Sequence, residues 1–163
     1  MTILHEKVAN TVTLNNLEVE EIACDPDFAD TAVFSEKYGF TIEQGANTII
    51  VASRKIEPTR YAVCVVLAST RLDVNKAVTK LMEVKKASFA DAEVTRQLSE
   101  MEIGGVTAVG IDNIPIYVDG AVFGQLKVVM GGGNRSSKIL LNPNELLKLS
   151  NVRRVEGLAK PVV

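Results

Sequence analysis

Glu102-Ile103-Gly104-Gly105-Val106-Thr107-Ala108-Val109-Gly110 carries no charge after Glu102 and only one threonine hydroxyl for side-chain chemistry. Paired glycines let a chain reach φ > 0 and bring main-chain N–H and C=O groups close to a neighbour, which a Cβ would obstruct. Two readings fit the run. It is either a tight turn between a helix and a strand, or the wall of a pocket that binds through shape and peptide groups rather than through an acid/base pair.

Its flanks set the frame. Upstream, Asp91 begins a helix that runs through Leu98, and Asp73 caps another through about Met82. The decamer Asp30 to Gly39 predicts an earlier helix, with Asp30 at or near its N-cap and Gly39 as its stop. Thr48 to Ala52 and Tyr61 to Leu67 are apolar and β-rich, joined by the polar, proline-containing stretch Ser53 to Arg60, so they predict a hairpin. Downstream, Pro115 to Val118 and Ala121 to Phe123 flank Asp119-Gly120, a strong short hairpin signal. Lys127 to Met130 and Lys138 to Leu141 read as strands around a second glycine cluster. Asn142-Pro143-Asn144-Glu145 then offers an N-cap, an N1 proline and a capping-box acid for a helix from Glu145 to Leu149. The opening segment has Leu4, Val8, Val12 and Leu17 as its apolar markers. Helices and strands alternate without a steady βαβ rhythm, which predicts a single α+β domain over 1–163: a curved, barrel-like mixed β-sheet with flanking helices.

A chain of 163 residues is long enough to bury about two-thirds of its unfolded surface around one core. No apolar run reaches the roughly 18 residues that span a bilayer, and Glu6 and Lys7 sit where a signal peptide would need its apolar core, so a cytoplasmic protein without membrane attachment is expected. The net charge of −2 does not announce a nucleic-acid binder, and no DNA partner is expected. It is unevenly spread, however. Residues 124–163 hold seven basic and two acidic side chains, against eleven and eighteen in the rest. That excess is either a surface for a phosphate-bearing partner or a solvated face. Cys24 and Cys64 are widely spaced, and Cys64 lies inside the apolar run Tyr61 to Leu67, which favours a buried free thiol over a disulfide.

Familiar catalytic constellations are missing. His5 is the only histidine, near the amino terminus and without a cysteine or paired acid at metal-ligand spacing, so neither a metal site nor histidine-based nucleophilic catalysis is expected, and no cofactor is implied. Glu18, Glu20 and Glu21, like Asp25, Asp27 and Asp30, read as solvated acids. Gly131-Gly132-Gly133-Asn134-Arg135-Ser136-Ser137-Lys138 lacks the Gly-Lys-Ser/Thr ending of a phosphate loop and is followed by a strand. It is either a strand-connecting turn or a backbone nest for a phosphate or carbonyl.

Taken in order, Asp30-Thr31-Ala32, the strand Ala62 to Leu67 with Leu72 to Lys76, Gly104 to Gly110, Gly131 to Asn134 and Leu141 to Leu147 resemble the YbaK/EbsC family of aminoacyl-tRNA deacylases, a domain also inserted in many bacterial prolyl-tRNA synthetases. The resemblance spans about residues 25 to 158. It implies hydrolysis of the ester that joins a mischarged amino acid to the 3′ end of a tRNA, with no cofactor and no essential protein base; an aminoacyl-tRNA synthetase is a further implied partner. It places Asn47, Gly104, Gly105, Thr107 and Ala108 as catalytic positions, and Thr31, Val106, Gly132, Asn134 and Arg135 as substrate-binding ones. Two positions depart from the family. The Gly-x-x-x-Pro loop ends here in Ala108, and the lysine before the first long strand is Asn47, whose amide hydrogen-bonds but adds no charge. Those departures leave a second reading, a non-catalytic module that binds an aminoacyl-adenosine end, an amino acid or a nucleotide, and a third, a structural partner of a synthetase.

Overall fold

The computed structural model describes residues 1–162. At its centre lies a five-stranded sheet in which β2 (Ala46–Ser53) pairs antiparallel with β3 (Tyr61–Leu67), as the hairpin reading expects. The unbroken apolar run of β3 follows from burial on both faces. Val63, Val65 and Leu67 point into the larger apolar cluster, while Ala62, Cys64 and Val66 point into the smaller one behind it. On its other edge β3 runs parallel to β6 (Ile116–Asp119), which in turn runs parallel to β9 (Val152–Val155). The short β5 (Ala87–Phe89) closes the order β5-β2-β3-β6-β9.

A three-stranded sheet, β1 (Glu20–Ala23), β8 (Ser137–Leu141) and β7 (Val128–Gly131), packs over the larger cluster through Val128, Met130, Ile139 and Leu141. A parallel bridge between Gly45 and Val129 joins it to the start of β2. The third sheet pairs β4 (Thr70–Leu72) with β10 (Ala159–Pro161). This is a mixed α+β single-domain fold, and no sheet among the described residues closes into a barrel.

Helices fill the edges. α1 (Glu6–Leu14) buries Val8; the backbone N–H of His5 donates to Gly132 O (2.9 Å) and its Nδ1 accepts from Lys7 N, so this end of the chain is docked on the second glycine cluster. α2 (Thr31–Tyr38) follows Asp30 and ends at Gly39 in the left-handed region, as the sequence predicts. Its Phe34 is 1% exposed and stacks on Tyr38 and Phe40, with ring centroids 4.5 and 5.7 Å away. Burying such a ring stabilises by about 1.5–3 kcal/mol, which fixes α2 against the β1–β8 edge. Asp73 caps the wide turn Val74–Val78, continued by α3 (Thr79–Met82), and the Asp91 carboxylate accepts from Val94 N to start α4 (Ala92–Ser99).

The Asp119-Gly120 hairpin is not formed. A two-residue hairpin of that type needs positive φ at both residues, whereas Asp119 has φ −60 and residues Gly120–Gly124 form a 3-10 turn. The pair serves another contact. Asp119 is buried and accepts the backbone N–H of Leu158 at 3.0 Å, and a Cβ on Gly120 would run into the Glu156 carboxylate. β6 therefore ends inside a parallel array instead of turning back. Downstream, Pro143–Lys148 is a 3-10 helix capped by Asn142, and Glu145 binds Glu18 N and Lys148 rather than closing a capping box.

Cys24 and Cys64 are both buried and unbridged. The carboxy-terminal cationic excess is largely spent inside the molecule: Lys148, Arg154 and Lys160 pair with Glu145, Glu156 and Asp73, Arg135 lies on backbone carbonyls, and Lys138 is buried. No helix among the described residues is long and apolar enough to cross a membrane.

Candidate functional site

A cleft of about 290 Å³ opens where the amino-terminal ends of α2 and β2 meet the glycine run and the end of β7. Gly45 makes this junction possible, because a Cβ there would sit 2.6 Å from Thr31 Cγ2. With the gap closed, the Thr31 hydroxyl donates to Asn47 Oδ1 at 2.6 Å, and the carboxamide is held at the cleft wall with its NH₂ free of protein acceptors among the described residues. One residue further along β2, Thr48 Oγ1 accepts the backbone N–H of Ala108 (3.1 Å) and ties the glycine run to the strand.

That run is a strap without regular structure, crossing from α4 to β6. Gly104 takes φ +94, where a Cβ is strained and would also strike the guanidinium of Arg135. Arg135 in turn donates to Ile103 O (3.2 Å) and Pro26 O (2.7 Å), stapling the strap to the loop that precedes α2. Beside it, Gly133 N–H donates to Gly105 O (2.7 Å) and Glu102 N–H to Gly133 O (3.0 Å). The two glycine clusters are thus one unit, packed backbone to backbone. A Cβ on Gly105 would overlap the Asn134 main chain, and one on Gly131 would overlap the carbonyls of Gly105 and Val106.

The sequence pattern of the aminoacyl-tRNA editing domain matches residues 25–149. The chain belongs to the aminoacyl-tRNA editing domain family. Solved structures of the same fold include a hypothetical protein, APE2540 (TM-score 0.84, 21% identity, covering 95% of this chain and 100% of that one), and a candidate trans-editing enzyme for prolyl-tRNA synthetase (TM-score 0.80, 22% identity, 99% of each chain). A third, from Marinobacter aquaeolei VT8 and described as a signal transduction protein, shares the fold at TM-score 0.66 and 13% identity, covering 96% of this chain and 31% of its own. At these identities the likeness is one of fold. Among curated proteins no sequence matches.

Within this editing domain the expected site residues separate into three groups. Thr31, Asn47, Gly104 and Val106 line the cleft together. Gly105, Gly132, Asn134 and Arg135 form the scaffold behind it; the Asn134 carboxamide accepts from Ser136 N, Ser136 Oγ and Ser137 Oγ and donates to Ile3 O, so its bonds go to the turn and the amino-terminal segment rather than into the cleft. Thr107 and Ala108 lie elsewhere. Thr107 is fully buried with its N–H on Met101 Sδ, and Ala108 opens onto a separate cavity of about 310 Å³ shared with Lys7, Asp112 and Asn151.

One functional group at the cleft escaped the sequence. Lys138, on β8 beside Gly131 of β7, lines the cleft while only 5% exposed. It donates to Ala29 O (2.5 Å), and its Nζ lies 5.6 Å from the Phe34 ring centroid. Burial pushes its pKa below the ordinary lysine value; the nearby Cys24 and Asp30 act the other way, and no carboxylate forms an ion pair with it. A lysine in a run reading Ser-Lys-Ile-Leu-Leu looks like the solvated position of an edge strand. Only the placement of α2 over β8 turns it into a buried charge.

Proposed function

We propose that this protein hydrolyses the ester of a mischarged aminoacyl-tRNA, acting in trans in the cytoplasm on the 3′ end of the tRNA and in association with a synthetase. The observation that carries the reading is the cleft itself. It presents a carboxamide, a buried ammonium and a rigid strap of peptide groups at one small opening, on a fold whose family edits aminoacyl-tRNA. Water adds to the ester carbonyl carbon and the carbonyl π pair moves onto oxygen. The tetrahedral species then collapses by breaking the bond to the ribose oxygen, which leaves with its electron pair and takes up the proton the water gives up. Donors fixed in advance around the carbonyl oxygen favour that charge build-up, and removing one such donor from an enzyme typically costs about 100- to 1000-fold in rate. Amino-acid selectivity then rests on fit, where one methylene is worth about 1–3 kcal/mol. The barrel-like outline belongs to the same proposal: the two larger sheets, bridged at Gly45 and Val129, act as one shell around the cleft.

Release of amino acid from a panel of Ala-, Ser-, Cys- and Pro-charged tRNAs tests it, and acceleration over buffer on at least one is expected. A second reading, a non-catalytic module that holds the aminoacyl-adenosine end, draws on the internal engagement of two expected site groups: Asn47 Oδ1 is taken by Thr31, and Ala108 N–H by Thr48. Binding of a non-hydrolysable aminoacyl-adenosine analogue without turnover on any of the four tRNAs selects that reading.

A further inference from the structure

Among the residues that line the cleft, Lys138 of β8 is the one cationic side chain. We propose that Lys138 supplies from β8 the positive charge that Asn47 on β2 lacks, and that its ammonium binds the ester carbonyl oxygen and holds it as negative charge develops there. This inference rests on the deacylase reading and names the group that would do the electrostatic work within it.

Three observations support it. Lys138 and Asn47 line the same cleft, so a charge at either position faces the same bound group. The ammonium spends one N–H on Ala29 O and meets no carboxylate within ion-pairing distance, leaving two donors without a protein partner among the described residues. The third observation is energetic. A buried charge without a counter-charge is costly, and an apolar side chain at such a position is usually neutral or stabilising. Leu140, two residues along on the same face of β8, packs against the apolar cluster of Phe34 and Val129, so this face accommodates apolar side chains. A lysine retained there at a cost is explained by an anionic or partly anionic ligand that completes its surroundings. No proton leaves Lys138 in this role; it enters and leaves the reaction as the ammonium.

The test is Lys138→Met in the full chain, assayed for amino-acid release on whichever of the four charged tRNAs the wild type deacylates best. Because methionine fills the same space without the charge, the variant is expected to fold with an unchanged or higher thermal midpoint, yet to lose about 100-fold in kcat with little change in KM. Adding Asn47→Lys to it is expected to restore at least about tenfold of that loss, since the charge returns to the same cleft; a role confined to packing would give no such rescue. If Lys138→Met proves unfolded, Lys138→Gln decides in its place, with the same loss expected. A folded Met or Gln variant within about twofold of the wild-type rate overturns the role of Lys138 and leaves the deacylase reading standing. A wild type inactive on all four tRNAs overturns both.

Discussion

Replacing Gly105 by alanine probes the join between the two glycine clusters on which the cleft is built. Gly105 does not take a positive φ, so alanine brings no backbone strain and the effect is one of contact. The new Cβ would lie 2.1 Å from Asn134 O and 2.7 Å from Asn134 N, whereas ordinary contact begins near 3.4 Å, so the strap and the Gly131–Asn134 turn must part by about 1.3 Å. Neither side yields easily, because both are main chain. Such overpacking costs about 1–3 kcal/mol, and a shift of that size stretches Gly133 N–H···O Gly105 and Glu102 N–H···O Gly133, at about 1 kcal/mol each. We expect about 3–5 kcal/mol in total, a drop in thermal midpoint of about 6–20 °C for a chain of this size. The assay is a melting curve monitored by circular dichroism, with Gly124→Ala as control. A Cβ at Gly124 meets nothing within 4 Å, and that variant should stay within about 2 °C of wild type. A Gly105→Ala variant that melts with the control would refute the backbone-to-backbone join.

Three further outcomes follow from particular contacts. Arg135→Ala removes the donors to Ile103 O and Pro26 O and so frees the strap from the loop before α2; amino-acid release should slow about tenfold or more, as expected when a site is loosened by a fraction of an ångström, and a rate equal to wild type would count against the staple. Burial lowers the Lys138 pKa in the folded state, so the charged form carries its full penalty below that lowered value and sheds it as pH rises towards the ordinary 10.5. Lys138→Met should therefore be most stabilised relative to wild type at neutral pH, and the gap in urea unfolding free energy should close on approach to pH 10.5; a gap independent of pH would contradict the buried charge. Cys64, its pKa pushed up to about 12 by burial, should resist iodoacetamide at pH 9.0 in the native protein and react on unfolding, as mass spectrometry can follow.

Much of the architecture is legible in the chain because the signals are local. Asp30, Asp73, Asp91 and Asn142 each open a helical segment where the cap rules place one, and the two-sided burial of β3 is written in its unbroken apolar run. Asp119-Gly120 misleads because the same dipeptide serves tertiary demands: a buried carboxylate for Leu158 N–H and a glycine against Glu156, both distant in sequence. The glycine run connects α4 to β6, and its Gly104 and Val106 line the cleft. Four of the ten residues the resemblance singles out act as the cleft wall's backing rather than its surface, and two lie away from it. The burial of Lys138 is not legible for a related reason. Its strand gives a one-dimensional pattern of an ordinary sheet edge, and only the docking of α2 through Phe34 buries the ammonium in the cleft that Asn47 also lines.

The most direct test of the account is the steady-state release of labelled amino acid from Ala-, Ser-, Cys- and Pro-charged tRNAs by the purified full chain. The account predicts acceleration over buffer on at least one of them, lost in the Lys138→Met variant. Rates equal to buffer on all four would contradict it.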